Sequence, residues 1–76
     1  MVKAYVLLRV DVEQIDTIQE KLQEAKRVKS VDSTTGPFDM IAVVEAEDMS
    51  TLGNLVTKGI AVTSGVISTL TCVVVT

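Results

Sequence analysis

Two polar segments interrupt the apolar stretches of this 76-residue chain and hold its best candidates for chemistry. The first combines a carboxylate, two hydroxyls and a Gly-Pro turn: Thr34, Thr35, Gly36, Pro37, Phe38 and Asp39. This set suits a small zwitterion, because Asp39 can accept from an ammonium while the hydroxyls and nearby backbone amides donate to a carboxylate. The alternative is that Asp39 only caps the turn, and the residue types leave both interpretations open.

The second segment is a run of hydroxyl residues inside an apolar stretch near the C-terminus. Ser68, Thr69 and Thr71 punctuate a sequence that otherwise consists of Val, Ile and Leu. These hydroxyls can line a polar pocket, and we treat them as candidate ligand-binding residues. The alternative is structural, since threonine side chains also pair across neighbouring strands.

Catalytic and metal chemistry finds little support in the residue types. There is no histidine to act as a base for a Ser or Cys nucleophile, and Cys72 is the only cysteine. One thiol and scattered carboxylates do not make a zinc or iron set, and no glycine pattern matches a phosphate-binding loop. We therefore predict no catalytic residue, no metal and no cofactor.

The first half of the chain predicts a strand followed by a helix. In residues 3–10 the side chains alternate between two faces, as in a half-buried strand. One face carries only apolar residues: Ala4, Val6, Leu8 and Val10. Asp11 is the predicted helix N-cap, with Gln14 completing a capping box. The helix presents one apolar stripe: Ile15, Ile18, Leu22 and Ala25. The basic cluster Lys26, Arg27 and Lys29 is interpreted as the charge complement of the helix C-terminus.

The second half predicts three more strands and one more helix. Residues 29–35, 38–46 and 66–76 are the predicted strands, and a helix capped by Asp48 ends before Gly65. Its inner stripe is Leu52, Leu55, Val56 and Ile60. The order β-α-β-β-α-β predicts an α+β, ferredoxin-like fold. It has a four-stranded antiparallel sheet with two helices on one face.

The uncovered sheet face is apolar, which predicts an oligomer. Tyr5 and Leu7 lie there, and either register of the third strand adds apolar side chains: Ile41 and Val43, or Met40, Ala42 and Val44. The last strand adds Ile67, Val73 and Val75, or Val66, Leu70, Cys72 and Val74. A solvated face would alternate into charge. A single 76-residue domain also has a small core, so we expect a homodimer with the two sheets face to face.

The charge and hydropathy of the chain exclude two kinds of partner. Ten acidic and seven basic residues give a net charge of −3, which argues against nucleic acid, and the one basic cluster is already interpreted as the charge complement of the helix C-terminus. No apolar run reaches the ~18–20 residues needed to span a bilayer. With one cysteine and no recognisable export signal, we expect a cytoplasmic protein.

The two polar segments in their strands resemble a known family. Thr-Thr-Gly-x-Phe-Asp-Met-Ile-Ala-Val-Val, followed near the C-terminus by Gly-Val-Ile-Ser-Thr-Leu-Thr, is similar to the effector-binding (RAM) domain of the Lrp/AsnC transcriptional regulators. The resemblance covers the whole chain, and the domain spans 1–76. The first strand begins near residue 3, so the chain resembles a stand-alone form without the helix-turn-helix domain.

The resemblance implies a function. Family domains dimerise through their sheets, often form rings of dimers, and bind amino acids between dimers near the turn before the third strand. By position, Thr35, Gly36 and Asp39 match the first motif, and Ser68, Thr69 and Thr71 match the second. We expect a non-enzymatic amino-acid-sensing module that regulates amino-acid metabolism or transcription, with a full-length regulator as a further partner. The alternatives are a small dimeric ferredoxin-like monooxygenase or isomerase, and a ligand-free assembly partner.

Overall fold

Strands and helices follow one another along the chain in the predicted β-α-β-β-α-β order. The computed structural model describes residues 1–76. The elements in chain order are β1 (Val2–Val10), a 3-10 turn (Val12–Gln14), α1 (Ile15–Gln23), β2 (Val28–Ser33), β3 (Met40–Ala46), α2 (Met49–Asn54), a π-helical segment (Leu55–Ile60) and β4 (Val66–Val73). None of these helices is long and apolar enough to cross a membrane.

The four strands form one antiparallel sheet in the order β2-β3-β1-β4. This is the ferredoxin-like arrangement that the β-α-β-β-α-β order predicts, and the predicted fold is confirmed. The strands β1 and β3 are central, and β2 and β4 are the edges. Because β4 pairs only with β1, the last strand of the chain completes the pairing of the first.

One face of the sheet and the two helices enclose an aliphatic core. Alternate residues of β1 from Ala4 to Val10 are buried, and they are joined by alternate residues of β3 from Met40 to Ala46. The helices contribute the predicted stripes: Ile18, Leu22, Leu52, Val56 and Ile60 are buried, and Ile15, Ala25 and Leu55 pack partly against them. No polar or charged residue is buried.

The other face of the sheet is open and apolar at its centre. Tyr5 lies between Val43 and Cys72, and Leu7 lies between Ile41 and Leu70. We call these six residues the open face. Tyr5 is 40% exposed and Leu70 51%. Apolar residues at this density on a sheet surface are typical of an interface.

A bulge in the β1–β4 pairing decides the register of the last strand. The register shifts between Arg9 and Val10, so Val66 lies opposite Val10 and packs against the core. Leu70 and Cys72 nevertheless belong to the open face. Neither predicted register of this strand is therefore right along its whole length, because a single extra residue reverses the alternation.

The basic cluster does not lie in the last turn of α1, so that interpretation is wrong. The helix ends at Gln23, and Lys21 is the basic residue in its last turn. Lys26 and Arg27 follow in the connection to β2, where the Arg27 guanidinium pairs with the Glu47 carboxylate at 3.1 Å. The cluster therefore faces the end of β3 and not the helix axis.

The entry to α1 depends on a glycine from the far end of the chain. The Asp11 side chain accepts from the N–H of Glu13 at 3.1 Å and caps the 3-10 turn. The Asp11 N–H, which the predicted capping box assigns to Gln14, donates instead to the carbonyl of Gly65 at 2.8 Å. Gly65 has φ +95°, and a Cβ there would lie 2.7 Å from Oε1 of Gln14. Only glycine adopts this positive φ without strain and leaves room for the Gln14 side chain.

The two edges of the sheet differ in protection. At β2, Gln19 of α1 donates to the carbonyl of Val31 at 3.0 Å and accepts from the Ser33 hydroxyl at 3.2 Å. Lys29 is an unpaired bulge residue of the same edge. The β4 edge carries no charged residue, and beyond it Val74 donates to the carbonyl of Lys3 at 2.8 Å. The β2 edge is therefore better protected against pairing with a strand of another chain than the β4 edge.

Candidate functional site

The connection between β2 and β3 is a tight loop fixed by two hydrogen bonds. The N–H of Thr34 donates to the carbonyl of Asp39 at 2.8 Å, and the Thr34 hydroxyl donates to the carbonyl of Phe38 at 2.9 Å. Gly36 at the tip has φ +124°, a conformation that favours glycine. The loop thus brings together five of the predicted site residues: Thr34, Thr35, Gly36, Phe38 and Asp39.

Asp39 attaches this loop to β1. Its N–H donates to the carbonyl of Leu8 at 2.8 Å, and its carboxylate Oδ2 accepts from the N–H of Val10 at 2.9 Å. The side chain therefore replaces the strand carbonyl that would otherwise accept from Val10. Asp39 is half-buried, and Oδ1 has no hydrogen-bond partner within the chain. The sequence suggested a cap for the turn, but it did not reveal Val10 as the partner.

Several donors of the loop also lack a partner. The N–H groups of Thr35, Gly36 and Phe38 make no backbone hydrogen bond, and the Thr35 hydroxyl makes none either. The loop therefore offers an anionic acceptor and a set of neutral donors within a few residues of each other. This combination can hold an ammonium and a carboxylate of one small molecule.

The second polar segment is divided between the two faces of the sheet. Ser68 lies opposite Arg9 on the same side as the open face, at the end of the sheet where Asp39 lies. Thr69 lies opposite Leu8 and Thr71 opposite Val6, so both are on the helix side. The single chain thus places Ser68 nearer the Asp39 end, and it does not gather the three hydroxyls into one pocket.

Two clefts are present, and neither includes the β2–β3 loop. A groove of about 290 Å³ between α2 and β4 is lined by Thr71 together with apolar residues such as Val56 and Val73. A second cleft of about 390 Å³ lies at the opposite end of β3 from Asp39 and is lined mainly by charged residues. No group of three or more His, Cys, Asp or Glu side chains is placed to hold a metal ion.

Two carboxyl groups where β3 leads into α2 have a lowered pKa. The pKa of Glu47 lies below its ordinary 4.5 because a backbone N–H and the Arg27 guanidinium favour the charged form. The pKa of Asp48 lies below its ordinary 3.8 because Thr51 donates to it at the N-terminus of α2. The predicted N-cap role of Asp48 is confirmed.

Solved structures share this fold. The crystal structure of TTHA0845 from Thermus thermophilus is 34% identical, with a TM-score of 0.94 over 100% of this chain and 95% of that chain. Escherichia coli AsnC is 18% identical, with a TM-score of 0.93 over 99% of this chain and 51% of its own. The Neisseria meningitidis transcriptional regulator NMB0573, in complex with L-Met, is 16% identical, with a TM-score of 0.91 over 99% of this chain and 50% of that chain.

A family comparison agrees with these structures. The model of the Lrp/AsnC ligand-binding domain matches residues 3–76, which is nearly the whole chain. No curated protein matched the sequence. The resemblance carried by the two motifs is confirmed, and the family is that of the regulatory ligand-binding domains of transcription regulators. The chain therefore belongs to the Lrp/AsnC ligand-binding domain family and is a regulatory effector-binding module.

Proposed function

We propose that residues 1–76 act as one amino-acid-binding domain whose site is completed when copies of the chain assemble. The observation that carries the proposal is that the β2–β3 loop holds both the free Oδ1 of Asp39 and the unpaired N–H groups of Thr35 and Gly36. The α-ammonium of an amino acid would bind Asp39, and its α-carboxylate would accept from the loop amides and the Thr35 hydroxyl. Charge-assisted hydrogen bonds of this kind are short and strong.

The class of ligand has support from a structural relative. The Neisseria regulator was solved as a complex with L-Met, and its domain shares this fold. The polar groups of the loop would recognise only the α-ammonium and the α-carboxylate, which all amino acids share. Phe38, which is half-buried next to Asp39, is the one loop residue that offers an aromatic surface to a ligand side chain. The side-chain pocket is therefore assigned mainly to a neighbouring copy.

The open face supports a homodimer as the first step of assembly. Packing two such faces about a two-fold axis would bury Tyr5, Leu70 and their neighbours on both copies. Because neither cleft of the single chain includes the β2–β3 loop, we propose that dimers meet at this loop to close the site. Ser68 is at the correct end of the sheet to take part, whereas Thr69 and Thr71 would act from the helix side at a boundary with another copy.

The regulatory output would follow from assembly and not from direct contact with DNA. The net charge of −3 does not favour binding to phosphate backbones. We propose that it acts in the cytoplasm by co-assembling with a full-length regulator of the same family, to control transcription or amino-acid metabolism. An amino acid that bridges copies would shift the size of that assembly.

Titration of the purified protein with each of the twenty amino acids, followed by light scattering, tests this proposal. We expect at least one ligand to bind, with L-Met tested first, and to change the mass of the assembly. A ligand at 100 times its Kd stabilises the native state by about 2.7 kcal/mol. For a domain of this size the corresponding rise in Tm is on the order of 10 °C.

The outcomes separate the proposal from its alternatives. If no amino acid binds at millimolar concentration while the oligomer remains intact, the chain is a ligand-free assembly partner and the sensor assignment fails. If an amino acid binds with equal affinity to an Asp39→Asn variant, the domain is a sensor but the β2–β3 loop is not its site.

A further inference from the structure

The larger of the two clefts is a charged site at the end of the sheet opposite the β2–β3 loop. Its volume is about 390 Å³, within the range of small-molecule sites. Three cations, two carboxylates and two other residues line it: Lys26, Arg27, Lys29, Glu45, Glu47, Met1 and Ala46. The seven residues of β3 separate it from Asp39 by roughly 20 Å at the usual strand rise. It is therefore distinct from the proposed amino-acid site.

The three cations are brought together by two departures from regular structure. Because α1 ends at Gln23, Lys26 and Arg27 lie in a turn and not on a helix surface. Lys29 is the bulge residue of β2, without a partner on β3. A helix or a regular strand would spread these side chains over several directions. Here all three line one cleft.

Only one of the three cations has an anionic partner. Arg27 Nη2 contacts the two carboxylate oxygens of Glu47 at 3.1 and 3.4 Å, and the Arg27 and Glu47 side chains are 43% and 67% exposed. Neither Lys26 nor Lys29 has a carboxylate oxygen within 4.0 Å of its ammonium. An exposed ion pair contributes little stability, so an incoming anion can replace Glu47 on Arg27 at small cost.

We propose that this cleft binds the phosphate group of a small molecule. The lining side chains carry three positive and two negative charges, so they are net positive in a chain that is net negative. A carboxylate ligand would offer Arg27 only what Glu47 already provides. A phosphate dianion brings a second charge and a third acceptor oxygen, which can engage the Arg27 fork and both lysine ammoniums together.

Calorimetric titration with defined anions tests the site. The probes are inorganic phosphate, glycerol 3-phosphate and acetate, each at two ionic strengths. We expect both phosphates to bind more tightly than acetate. Stronger binding of glycerol 3-phosphate assigns the site to an organic phosphate ester, and equal binding assigns it to free phosphate; both results support the proposal.

Matched variants locate the binding. The double variant Lys26→Gln/Lys29→Gln should lose about tenfold in phosphate affinity, because two charge-assisted contacts are removed. The control Lys21→Gln/Lys58→Gln removes the same charge from α1 and the π-helical segment, and should change affinity less than about twofold at moderate salt. Glu47→Gln should raise phosphate affinity, since it releases Arg27.

Several results would overturn the proposal. Equal losses of phosphate affinity in the two double variants would mean that binding depends only on the net charge of the protein. Acetate binding as tight as phosphate, or weaker phosphate binding by Glu47→Gln, would contradict the assignment of a dianion to Arg27. Tighter binding of a short single-stranded oligonucleotide, lost in Lys26→Gln/Lys29→Gln, would assign the cleft to nucleic acid instead. Amino-acid binding should be unchanged in every variant, which separates this test from that of the proposed sensor site.

Discussion

The carboxylate of Asp39 accepts a hydrogen bond from the backbone N–H of Val10 at 2.9 Å and joins the start of β3 to the end of β1. A side chain therefore completes a strand pairing at the point where the β1–β4 register shifts. Oδ2 is committed to this bond, while Oδ1 has no partner in the chain. Asp39 thus has a structural role and a proposed ligand role on separate oxygens.

Two substitutions separate these roles. Asp39→Ala removes the acceptor of the Val10 N–H and should lower the free energy of unfolding by about 1–3 kcal/mol. Asp39→Asn keeps an oxygen acceptor but loses the charge, so we expect a smaller loss of stability together with loss of amino-acid binding. Urea unfolding and calorimetry measure the two effects. Equal destabilisation by both variants would show that the charge itself supports the fold.

The open face predicts the effect of a buried charge. Val43→Asp places a carboxylate next to Tyr5 on the open face, where a dimer would desolvate it without a partner. We expect dimer affinity to fall by about 100-fold or more, because an unpaired buried charge costs several kcal/mol. Sedimentation over a range of concentrations measures the effect. Val62→Asp, at a residue that is 68% exposed outside this face, is the control and should leave the dimer unchanged.

Alanine substitutions at two glycines should change the free energy of unfolding in opposite directions. Gly65→Ala imposes φ +95° on a residue with a side chain and places Cβ 2.7 Å from Gln14 Oε1 and 3.0 Å from Ile18 Cδ1. We expect a loss of about 1–3 kcal/mol in unfolding free energy. Gly53→Ala in α2 meets nothing within 4 Å, so it should stabilise by about 0.5–1 kcal/mol. Denaturant unfolding measures both, and destabilisation by Gly53→Ala would contradict the helical geometry.

The cap of α2 predicts part of the pH dependence of stability. Because the pKa of Asp48 is lowered on folding from its ordinary 3.8, its contribution is complete above that value and is lost as the pH falls through the lowered one. Asp48→Asn should therefore flatten the decline in unfolding free energy between neutral and acid pH. Val62→Ala, at an exposed residue and without any change of an ionisable group, is the control and should leave that slope as in the parent protein. An unchanged slope in Asp48→Asn would contradict the cap.

Strand and helix periodicities predicted most of the fold because the sheet and the helices each bury only one face in the core. Alternation in β1 and the stripe from Ile15 to Ala25 identified the core residues correctly. The bulge before Ser68 was not predictable, since all eleven residues from Val66 to Thr76 are compatible with a strand in either register. The end of α1 was also placed too late, because Lys26 and Arg27 are good helix formers and their contacts with the end of β3 are not local.

The candidate site was predicted in part. The residues of the β2–β3 loop are contiguous, so sequence brought them together without knowledge of the fold. Ser68 and Thr69 were grouped because they are neighbours in sequence, yet adjacent strand residues point to opposite faces. The Val10 N–H carries no sequence signal at all, because any residue except proline has a backbone N–H.

The pairing of β1 with β4 also determines how the chain must fold. The hydrogen bond from Val74 to Lys3 and the ladder beside it join the two ends of the polypeptide, so this contact has close to the largest possible sequence separation. Loop-closure entropy must be overcome before that ladder forms, which makes its formation a slow step in refolding. Joining the ends with a short linker and opening the chain at the exposed Pro37 loop would make these strands neighbours in sequence. Such a circular permutant should refold faster than the parent chain, with its sheet order unchanged.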